Sequence, residues 1–301
     1  MRLTRMLALG ASTLALVLSA CSVGGGGTTI KVGSDGFDEA RVVAEIYAQA
    51  LEANGFKVDR AGIGLGTRKV TAAALESGQI DLKPEYIGSG LAYYGGQKSS
   101  DSAAERTALQ AILDGKGGGM TVLDYTSAQD TNAFVVRKAT ADQFSLTKMS
   151  DLAAVQDKLK WGLATDCPTN PVCAAALKSV YGLDPKNVTL LDACSTPMAD
   201  ALKATTIDLA ELCSTGPEIL VNGWVLLADD KSTQPADNLA PIVRNDLLAK
   251  VDKTKLASVL NAISAKIDTA TLADLYKQVA VDKKDIAAVA TAWLKANGFV
   301  K

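Results

Sequence analysis

Histidine is absent from the 301-residue sequence, and aromatic residues make up only 5% of it. Without histidine the chain lacks the commonest acid–base group near neutral pH and the commonest metal ligand, which disfavours Ser–His–Asp hydrolases and most zinc enzymes. The net charge is -2 with both signs interspersed, so the chain offers no cationic surface for a nucleic acid. These absences favour a ligand-binding protein over an enzyme, and we expect neither a cofactor nor a metal ion.

The N-terminus has the pattern of an export signal. Two arginines precede an apolar run, residues 6–17, that is too short to span a bilayer as a mature helix. The run ends in "LSAC", which resembles the bacterial lipobox, so we expect residues 1–21 to be a signal peptide and Cys21 to be lipidated. Residues 22–28 would be a flexible glycine-rich tether. The protein is then exported and lipid-anchored to the outer face of the cell membrane; an ordinary signal peptide with an incidental cysteine is the alternative.

Four further cysteines lie at positions 167, 173, 194 and 213. An oxidising exterior favours disulfides, for which three pairings exist. Cys167 and Cys173 flank "PTNP", a stiff loop able to bring its ends together, whereas Cys194 and Cys213 each end an apolar run. We predict the pairs Cys167–Cys173 and Cys194–Cys213. A zinc site is the alternative, but the chain lacks both C-x-x-C spacing and histidine.

Strand-like and helix-like segments alternate from Thr28 onward, which predicts an α/β fold with mainly parallel sheets. The first strand is "TTIKVGS". A helix follows from about Asp38 to Asn54, because apolar residues recur there at helical spacing, two acids open it and Gly55 can end it. Three amphipathic helices finish the chain.

Two polar segments divide the chain into two lobes. "TSAQDT" predicts the crossing from lobe 1 to lobe 2 and "STGPE" the return, after which the strand "GWVLLADD" would belong to lobe 1. The expected bounds are 29–128 plus 216–301 for lobe 1 and 129–215 for lobe 2. Two crossings imply a hinge with a ligand cleft between the lobes, since ligands of open α/β sheets bind beyond the carboxyl ends of the strands.

Three loops after strands carry polar side chains, and each opens a helix: "SDGFDE", "GLGTRK" and "KPEYIGSG". Free backbone amides at a helix start can receive a carboxylate or another anion; the alternative is that the side chains there only cap the helix. In the third loop we expect Pro84 to end the strand. Glu85 and Tyr86 would then face the cleft, and the glycines after them would let the backbone approach closely.

The candidate ligand-binding residues lie in these loops and near the two crossings. They are Ser34, Asp35, Phe37, Thr67, Arg68, Glu85, Tyr86, Asp130, Thr131, Asn132, Ser214 and Thr215. Tyr86 is either a wall for a cation or an ordinary half-buried tyrosine. Arg68 is either a clamp on the ligand or an ion-pair partner of Glu85 or Asp35.

Five segments, in order along the chain, resemble the substrate-binding lipoproteins of osmoprotectant ABC importers. They are "VGSDGFDEARVVAEIYAQALEANGFKV", "ALESGQIDLKPEYIGSG", "DTNAFVV", "CPTNPVCAAALKSVYGL" and "VRNDLL". The resemblance implies a two-lobed type II periplasmic-binding-protein fold that closes over glycine betaine, choline, carnitine or a related quaternary amine. It also implies partners, namely a membrane permease with a cytoplasmic ATPase, and we expect the binding protein itself to be a monomer.

This family holds quaternary amines in a box of aromatic rings, and here the corresponding positions fall on Tyr86, Asn132, Cys213 and near Ala199. Only the first is aromatic. One alternative is a rebuilt box that uses Phe37, Tyr86 and Tyr94 opposite Asp130 or Asp166. The other is a polar or flat aromatic ligand read by hydrogen bonds from Ser34, Thr67, Arg68, Asn132, Ser214 and Thr215.

Two other functions use the same residues. A ligand-sensing lipoprotein would need the same closing lobes. A glycosidase would need paired carboxylates such as Asp35, Asp38, Glu39 and Glu85, but such sites are usually lined by aromatic platforms, and this chain has only three tryptophans. We therefore expect no enzymatic activity.

Overall fold

The computed structural model describes residues 27–301. The predicted signal peptide, the predicted lipidation site Cys21 and most of the predicted tether lie outside this range. The strands within it are β1 (Thr29–Asp35), β2 (Lys57–Gly66), β3 (Leu82–Tyr86), β4 (Met120–Val122), β5 (Asn132–Val136), β6 (Trp161–Ala164), β7 (Val188–Leu191), β8 (Leu209–Cys213), β9 (Val225–Leu226) and β10 (Leu239–Arg244). The helices are α1 (Asp38–Ala53), α2 (Arg68–Ser77), α3 (Ile87–Tyr93), α4 (Ser102–Leu113), α5 (Lys138–Phe144), α6 (Ala176–Tyr181), α7 (Thr196–Lys203), α8 (Pro217–Asn222), α9 (Asn245–Leu248), α10 (Lys253–Ser264), α11 (Thr269–Ala280) and α12 (Ile286–Ala296).

Lobe 1 is built on a five-stranded sheet with the order β2-β1-β3-β10-β4. β1 is parallel to β2 and β3, whereas β10 is antiparallel to β3 and β4. Helix α1 is buried between this sheet and the last three helices, α10 to α12, whose apolar stripes join the same core. The parallel strands β1 to β3 all end at one edge, where the three polar loops follow.

Pro84 does not end its strand, contrary to the prediction. It lies opposite Pro241 in the antiparallel ladder between β3 and β10, and β3 continues to Tyr86. Neither proline has a backbone N–H to donate, and because the two lie opposite each other, both missing hydrogen-bond donors fall at the same position along the two strands. The side chains of β3 therefore alternate between the two faces of the sheet as far as its last residue, so Glu85 and Tyr86 point to opposite faces.

Lobe 2 is built on a second five-stranded sheet with the order β7-β6-β8-β5-β9. β6 is parallel to β7 and β8, and β5 is antiparallel to β8 and β9. The strand β9, from the segment "GWVLLADD", thus belongs to lobe 2 and not to lobe 1, so the predicted lobe assignment of this strand is wrong. It pairs with β5 through Val135–Leu226 and Val136–Val225, and Leu227 beside it enters the lobe 2 core.

The two crossings run side by side. Gln129 forms an isolated antiparallel bridge with Asn238, and the Asp130 amide donates to the Asp237 carbonyl at 3.2 Å. The return crossing therefore lies just before β10 and not at "STGPE", which forms the turn between β8 and α8. Gly88 packs here without a side chain, because a Cβ at this position would collide with the Ala236 carbonyl.

Both predicted disulfides, Cys167–Cys173 and Cys194–Cys213, are present. Their Cα atoms are 5.1 and 5.0 Å apart, within the range that a disulfide bridges without backbone movement. The first pair closes the turn before α6, and the second ties the end of β8 to the turn before α7. No helix within residues 27–301 combines the length and the apolar character needed to cross a bilayer.

Candidate functional site

A cavity of about 440 Å³ lies between the two lobes, and we call it the interlobe cavity. Its lining residues come from both lobes and both crossings. They are Phe37, Arg68, Tyr86, Ser89, Lys98, Asp130, Thr131, Asn132, Val172, Cys213, Gln234, Pro235 and Asp237. A second cavity of about 370 Å³ lies in lobe 2 alone and has mainly apolar walls. The interlobe cavity is the candidate site because it combines aromatic rings with charges of both signs.

Half of the predicted site residues line this cavity: Phe37, Arg68, Tyr86, Asp130, Thr131 and Asn132. The other six lie behind or beside it. Ser34 accepts a hydrogen bond from the Gly64 amide at 2.9 Å, and Thr67 occupies the cap position of α2. Ser214 and Thr215 hold the first crossing, since Ser214 Oγ donates to the Gln129 carbonyl and Thr215 Oγ1 to Asp130 Oδ1, both at 2.8 Å.

Asp35 and Glu85, predicted to lie in the cleft, are instead buried partners of Lys83. The Lys83 ammonium lies 2.8 Å from Asp35 Oδ1, 2.9 Å from Glu85 Oε2 and 2.9 Å from Thr71 Oγ1. Lys83 and Glu85 share one face of β3 because they are two residues apart. Glu85 also accepts from Arg68 Nε at 3.0 Å, so the ion-pair role considered for this arginine is present, and the same residue lines the cavity.

Tyr86, on the opposite face of β3, is one of the residues that line the interlobe cavity, and its hydroxyl donates a hydrogen bond to Glu39 Oε1. Glu39 lies in the first turn of α1 and is only 2% exposed. Burial, reinforced by the charge of Asp130, raises the pKa of Glu39 to about 8, although the hydroxyls of Tyr86 and Thr215 act in the opposite direction. Burial and the Glu39 charge likewise raise the pKa of Tyr86 well above its ordinary value.

Two carboxylates line the cavity itself, at positions 130 and 237. Burial raises the pKa of Asp130, and the negative charge of Asp237 adds to this effect. Asp237 accepts from the Ser89 amide at 2.9 Å and from Ser89 Oγ at 2.6 Å, and it lies 3.4 Å from the Lys98 ammonium. The cavity therefore presents an acidic wall around the Tyr86 ring and two cations, Arg68 and Lys98, nearby.

The lobe 2 wall is more polar than aromatic. Asn132 Nδ2 donates to Glu211 Oε1 at 2.9 Å, and Glu211 also accepts from the Ala164 amide at 2.8 Å, so the side chain of Asn132 is held in place. Cys213 contributes the disulfide to this wall. Glu211 also lies near the sulfurs of Cys167 and Cys173, but these are bonded to each other and are not free thiolates.

Two other residues considered for the rebuilt aromatic box, Tyr94 and Asp166, lie outside the interlobe cavity. Tyr94 packs in a lobe 1 core and donates to Glu76 at 2.9 Å, and Asp166 lies in the turn before α6. Neither lines the interlobe cavity, so the rebuilt box of Phe37, Tyr86 and Tyr94 does not form in this structure.

Sequence reasoning missed several lining residues: Ser89, Lys98, Val172, Gln234, Pro235 and Asp237. Three of them belong to the return crossing, which was placed some twenty residues too early. The segment "STQPADN" carries the turn-forming residues expected of a crossing, and this was the signal available in the sequence.

Comparison with known proteins identifies the family. Residues 28–296 match the family described as the substrate-binding domain of the ABC-type glycine betaine transport system. The chain belongs to this family. Glycine betaine-binding protein YehZ from Escherichia coli K12 is 27% identical over 285 residues, covering 90% of this chain and 92% of that protein. Carnitine transport binding protein OpuCC from Listeria monocytogenes is 26% identical over 301 residues, covering 95% and 94%.

A solved structure supports the assignment at the level of the fold. Apo YehZ from Escherichia coli matches with a TM-score of 0.80 and 24% identity, over 91% of this chain and 100% of that one. The two-lobed α/β fold expected for a member of this family of substrate-binding domains is thus confirmed. Its members are transport components, which accords with a cavity between two lobes joined by two adjacent crossings.

Proposed function

We propose that this protein is the extracytoplasmic solute-binding lipoprotein of an ABC importer and captures a quaternary amine that also carries a carboxylate, such as glycine betaine or carnitine. The observation that carries this proposal is the interlobe cavity, in which an aromatic ring and an acidic wall stand beside two cations. A molecule with separated positive and negative charges complements both. We infer binding without chemical conversion.

The positive end of such a ligand cannot donate a hydrogen bond, because a quaternary nitrogen carries no proton. Its stabilisation must come from ring faces and from nearby negative charge. The Tyr86 ring is one such face, and Phe37 supplies a second ring on the same wall. The carboxylates of Asp130 and Asp237 supply negative charge in place of the additional rings of a full aromatic box.

The negative end has two partners. Arg68 binds Glu85 through Nε, which fixes the plane of its guanidinium while the group still lines the cavity. Lys98 also lines it. Guanidinium groups bind carboxylates with well-defined geometry, so we assign recognition of the ligand carboxylate mainly to Arg68.

Closure of the lobes about the paired crossings at Gln129 and Asn238 would then enclose the ligand. Two short antiparallel segments that are bridged to each other would form a hinge of the kind used in domain closure. The closed form would present the ligand to a permease driven by a cytoplasmic ATPase. We also propose that Cys21 carries the lipid anchor and that the binding protein acts as a monomer.

Replacing Tyr86 with alanine should weaken the binding of glycine betaine by about 1–2 kcal/mol, because a desolvated cation–π contact is lost. Isothermal titration calorimetry measures the effect. Tyr86→Phe keeps the ring and should lose less. Tyr93→Ala, at a tyrosine that is 43% exposed and lies outside the cavity lining, serves as the control; equal losses for Tyr86→Ala and Tyr93→Ala would exclude the assigned role.

Replacing Arg68 with methionine should weaken glycine betaine and carnitine at least about tenfold, because a charged hydrogen bond to the carboxylate disappears. Choline has no carboxylate, so its affinity should stay within about twofold. Arg106→Met changes an arginine that pairs with Asp124 at the surface and should affect neither ligand. A parallel loss of choline binding in Arg68→Met would show that this residue shapes the cavity without reading the carboxylate.

The test of the proposed function is a thermal-shift and calorimetry screen of the purified protein against glycine betaine, carnitine, choline, sugars, amino acids and flat aromatic compounds. A ligand that binds the native state raises its stability by mass action. We expect the zwitterionic quaternary amines to bind most tightly. The polar lobe 2 wall, with Asn132 and Cys213 where relatives place rings, favours a polar or flat ligand as the second candidate; binding confined to such compounds would replace the proposal.

A further inference from the structure

We propose that Glu39 is a positioning residue that acts through Tyr86 and makes the capture of a cation in the interlobe cavity release one proton. This inference rests on the proposed function, because it concerns the positive end of the proposed ligand. It adds a feature that the cavity lining alone does not contain, namely an acid directly behind the ring that contacts the cation.

The geometry couples the two side chains tightly. Tyr86 is the last residue of β3 and Glu39 lies in the first turn of α1, and the tyrosine hydroxyl donates to Glu39 Oε1. The second carboxylate oxygen, Oε2, is buried and has no hydrogen-bond partner among the residues that the structure describes. A buried carboxylate with an unpartnered oxygen is costly, so the protonated acid is favoured when no cation is bound.

Within residues 27–301, no cation is among the groups on neighbouring elements that act on the pKa of Glu39. Asp130, from the first crossing, adds negative charge, and the hydroxyls of Tyr86 on β3 and Thr215 after β8 are neutral. Tyr276 on α11 is subject to the negative charges of Glu39, Asp38, Glu218 and Asp130, and Glu218 on α8 is itself subject to the charge of Asp130. Lys98 acts on Asp130 and Asp237 at the cavity wall. The pKa of about 8 for Glu39 is consistent with this surrounding.

A quaternary ammonium on the Tyr86 ring changes this balance. Its positive charge favours the ionised carboxylate, so Glu39 loses its proton when the ligand binds. The carboxylate then accepts the tyrosine hydroxyl more strongly and makes the ring more electron-rich, which strengthens the cation–π contact. No bond other than the O–H bond of Glu39 breaks, and the proton goes to solvent.

The expected consequence is an affinity that depends on pH. At pH values below the pKa that Glu39 has in the protein before ligand binding, binding must remove a proton, so the Kd should fall as the pH rises. Above about pH 8 the carboxylate is already ionised before the ligand binds, and the Kd should become constant. Since each proton released changes the affinity by up to about tenfold per pH unit, we expect the Kd of glycine betaine to fall about tenfold or more between pH 6 and pH 9.

The test is calorimetric titration of the full-length protein with glycine betaine between pH 6 and 9, in buffers of different ionisation enthalpy. The wild type should release close to one proton at pH 7. Glu39→Gln should bind with a pH-independent Kd and release none. The carbon isostere 3,3-dimethylbutanoate has the same shape and carboxylate without the positive charge, and its weaker binding should not rise with pH in either protein.

Two further variants keep the test decisive if Glu39→Gln does not fold. Tyr86→Phe removes the hydroxyl that favours the ionised acid, so the midpoint of the pH profile should move to higher pH. Asp130→Asn should weaken binding at every pH but keep proton release. A flat profile in the wild type, or the same slope in Glu39→Gln, would overturn the role of Glu39 while leaving the proposed function intact. Absence of quaternary-amine binding at every pH would instead refute the proposed function.

Discussion

Replacing Lys83 with methionine should lower the free energy of unfolding by about 3–5 kcal/mol, the cost of removing one partner of a buried ion pair while the other stays charged. The ammonium is 1% exposed and lies within 2.9 Å of oxygens from Asp35, Glu85 and Thr71. Without it, two buried carboxylates face each other with no cation at their centre. Urea unfolding at pH 7, followed by circular dichroism, measures the loss.

Lys138→Met is the matched control. This lysine forms an ion pair with Asp142 one helical turn away, and both side chains are more than 60% exposed, at 69% and 63%. Such pairs contribute about 0.5 kcal/mol or less, so the control should unfold near the wild-type midpoint. A loss of less than about 1 kcal/mol in Lys83→Met would mean that the buried cluster relaxes by protonation or by admitting water.

Replacing Glu39 with glutamine should stabilise the ligand-free protein at alkaline pH. The carboxyl has a pKa of about 8 in the folded protein against 4.5 in the unfolded chain, so between these values the folded state binds more protons. Stability contributed by this group is therefore present at low pH and is lost as the pH rises toward 8. The loss can reach about 5 kcal/mol at about 1.4 kcal/mol per pKa unit, and glutamine removes it.

Unfolding of both proteins in urea at pH 5 and at pH 9 checks this expectation. At pH 5 the acid is protonated in the folded state and the two proteins should differ little, which makes the variant its own control. At pH 9 the variant should be more stable by several kcal/mol. An equal difference at the two pH values would show that Glu39 is ionised in the folded protein throughout.

Local signals in the sequence were sufficient for many elements. Helix α1 was predicted within one residue of its end, because its acidic first turn, helical spacing and terminal glycine all agree. The disulfides followed from the compartment and from short separations along the chain. The strand β9 was missed as part of lobe 2, because a two-residue edge strand carries no periodicity and its partner β5 lies some ninety residues earlier.

The site was harder to predict because it depends on which face each side chain takes. All five residues of β3 are buried, so no alternation of polar and apolar residues shows that Glu85 and Tyr86 diverge. The assumption that Pro84 ends the strand then placed both in the cleft. Glu39 was considered only as a paired carboxylate, since an acid in the first turn of a helix is ordinarily explained by the helix dipole.

The position of β10 determines the order in which the two sheets can be completed as the chain folds. β3 and β4 have no ladder to each other, and each pairs with β10, which follows the whole of lobe 2 along the chain. Lobe 2 is continuous in sequence and can form its sheet as soon as β9 emerges. The lobe that begins first must therefore finish last, because the gap between β3 and β4 stays open until β10, some two hundred residues into the chain, is available. Non-local closure of this kind is slow and leaves strand edges exposed.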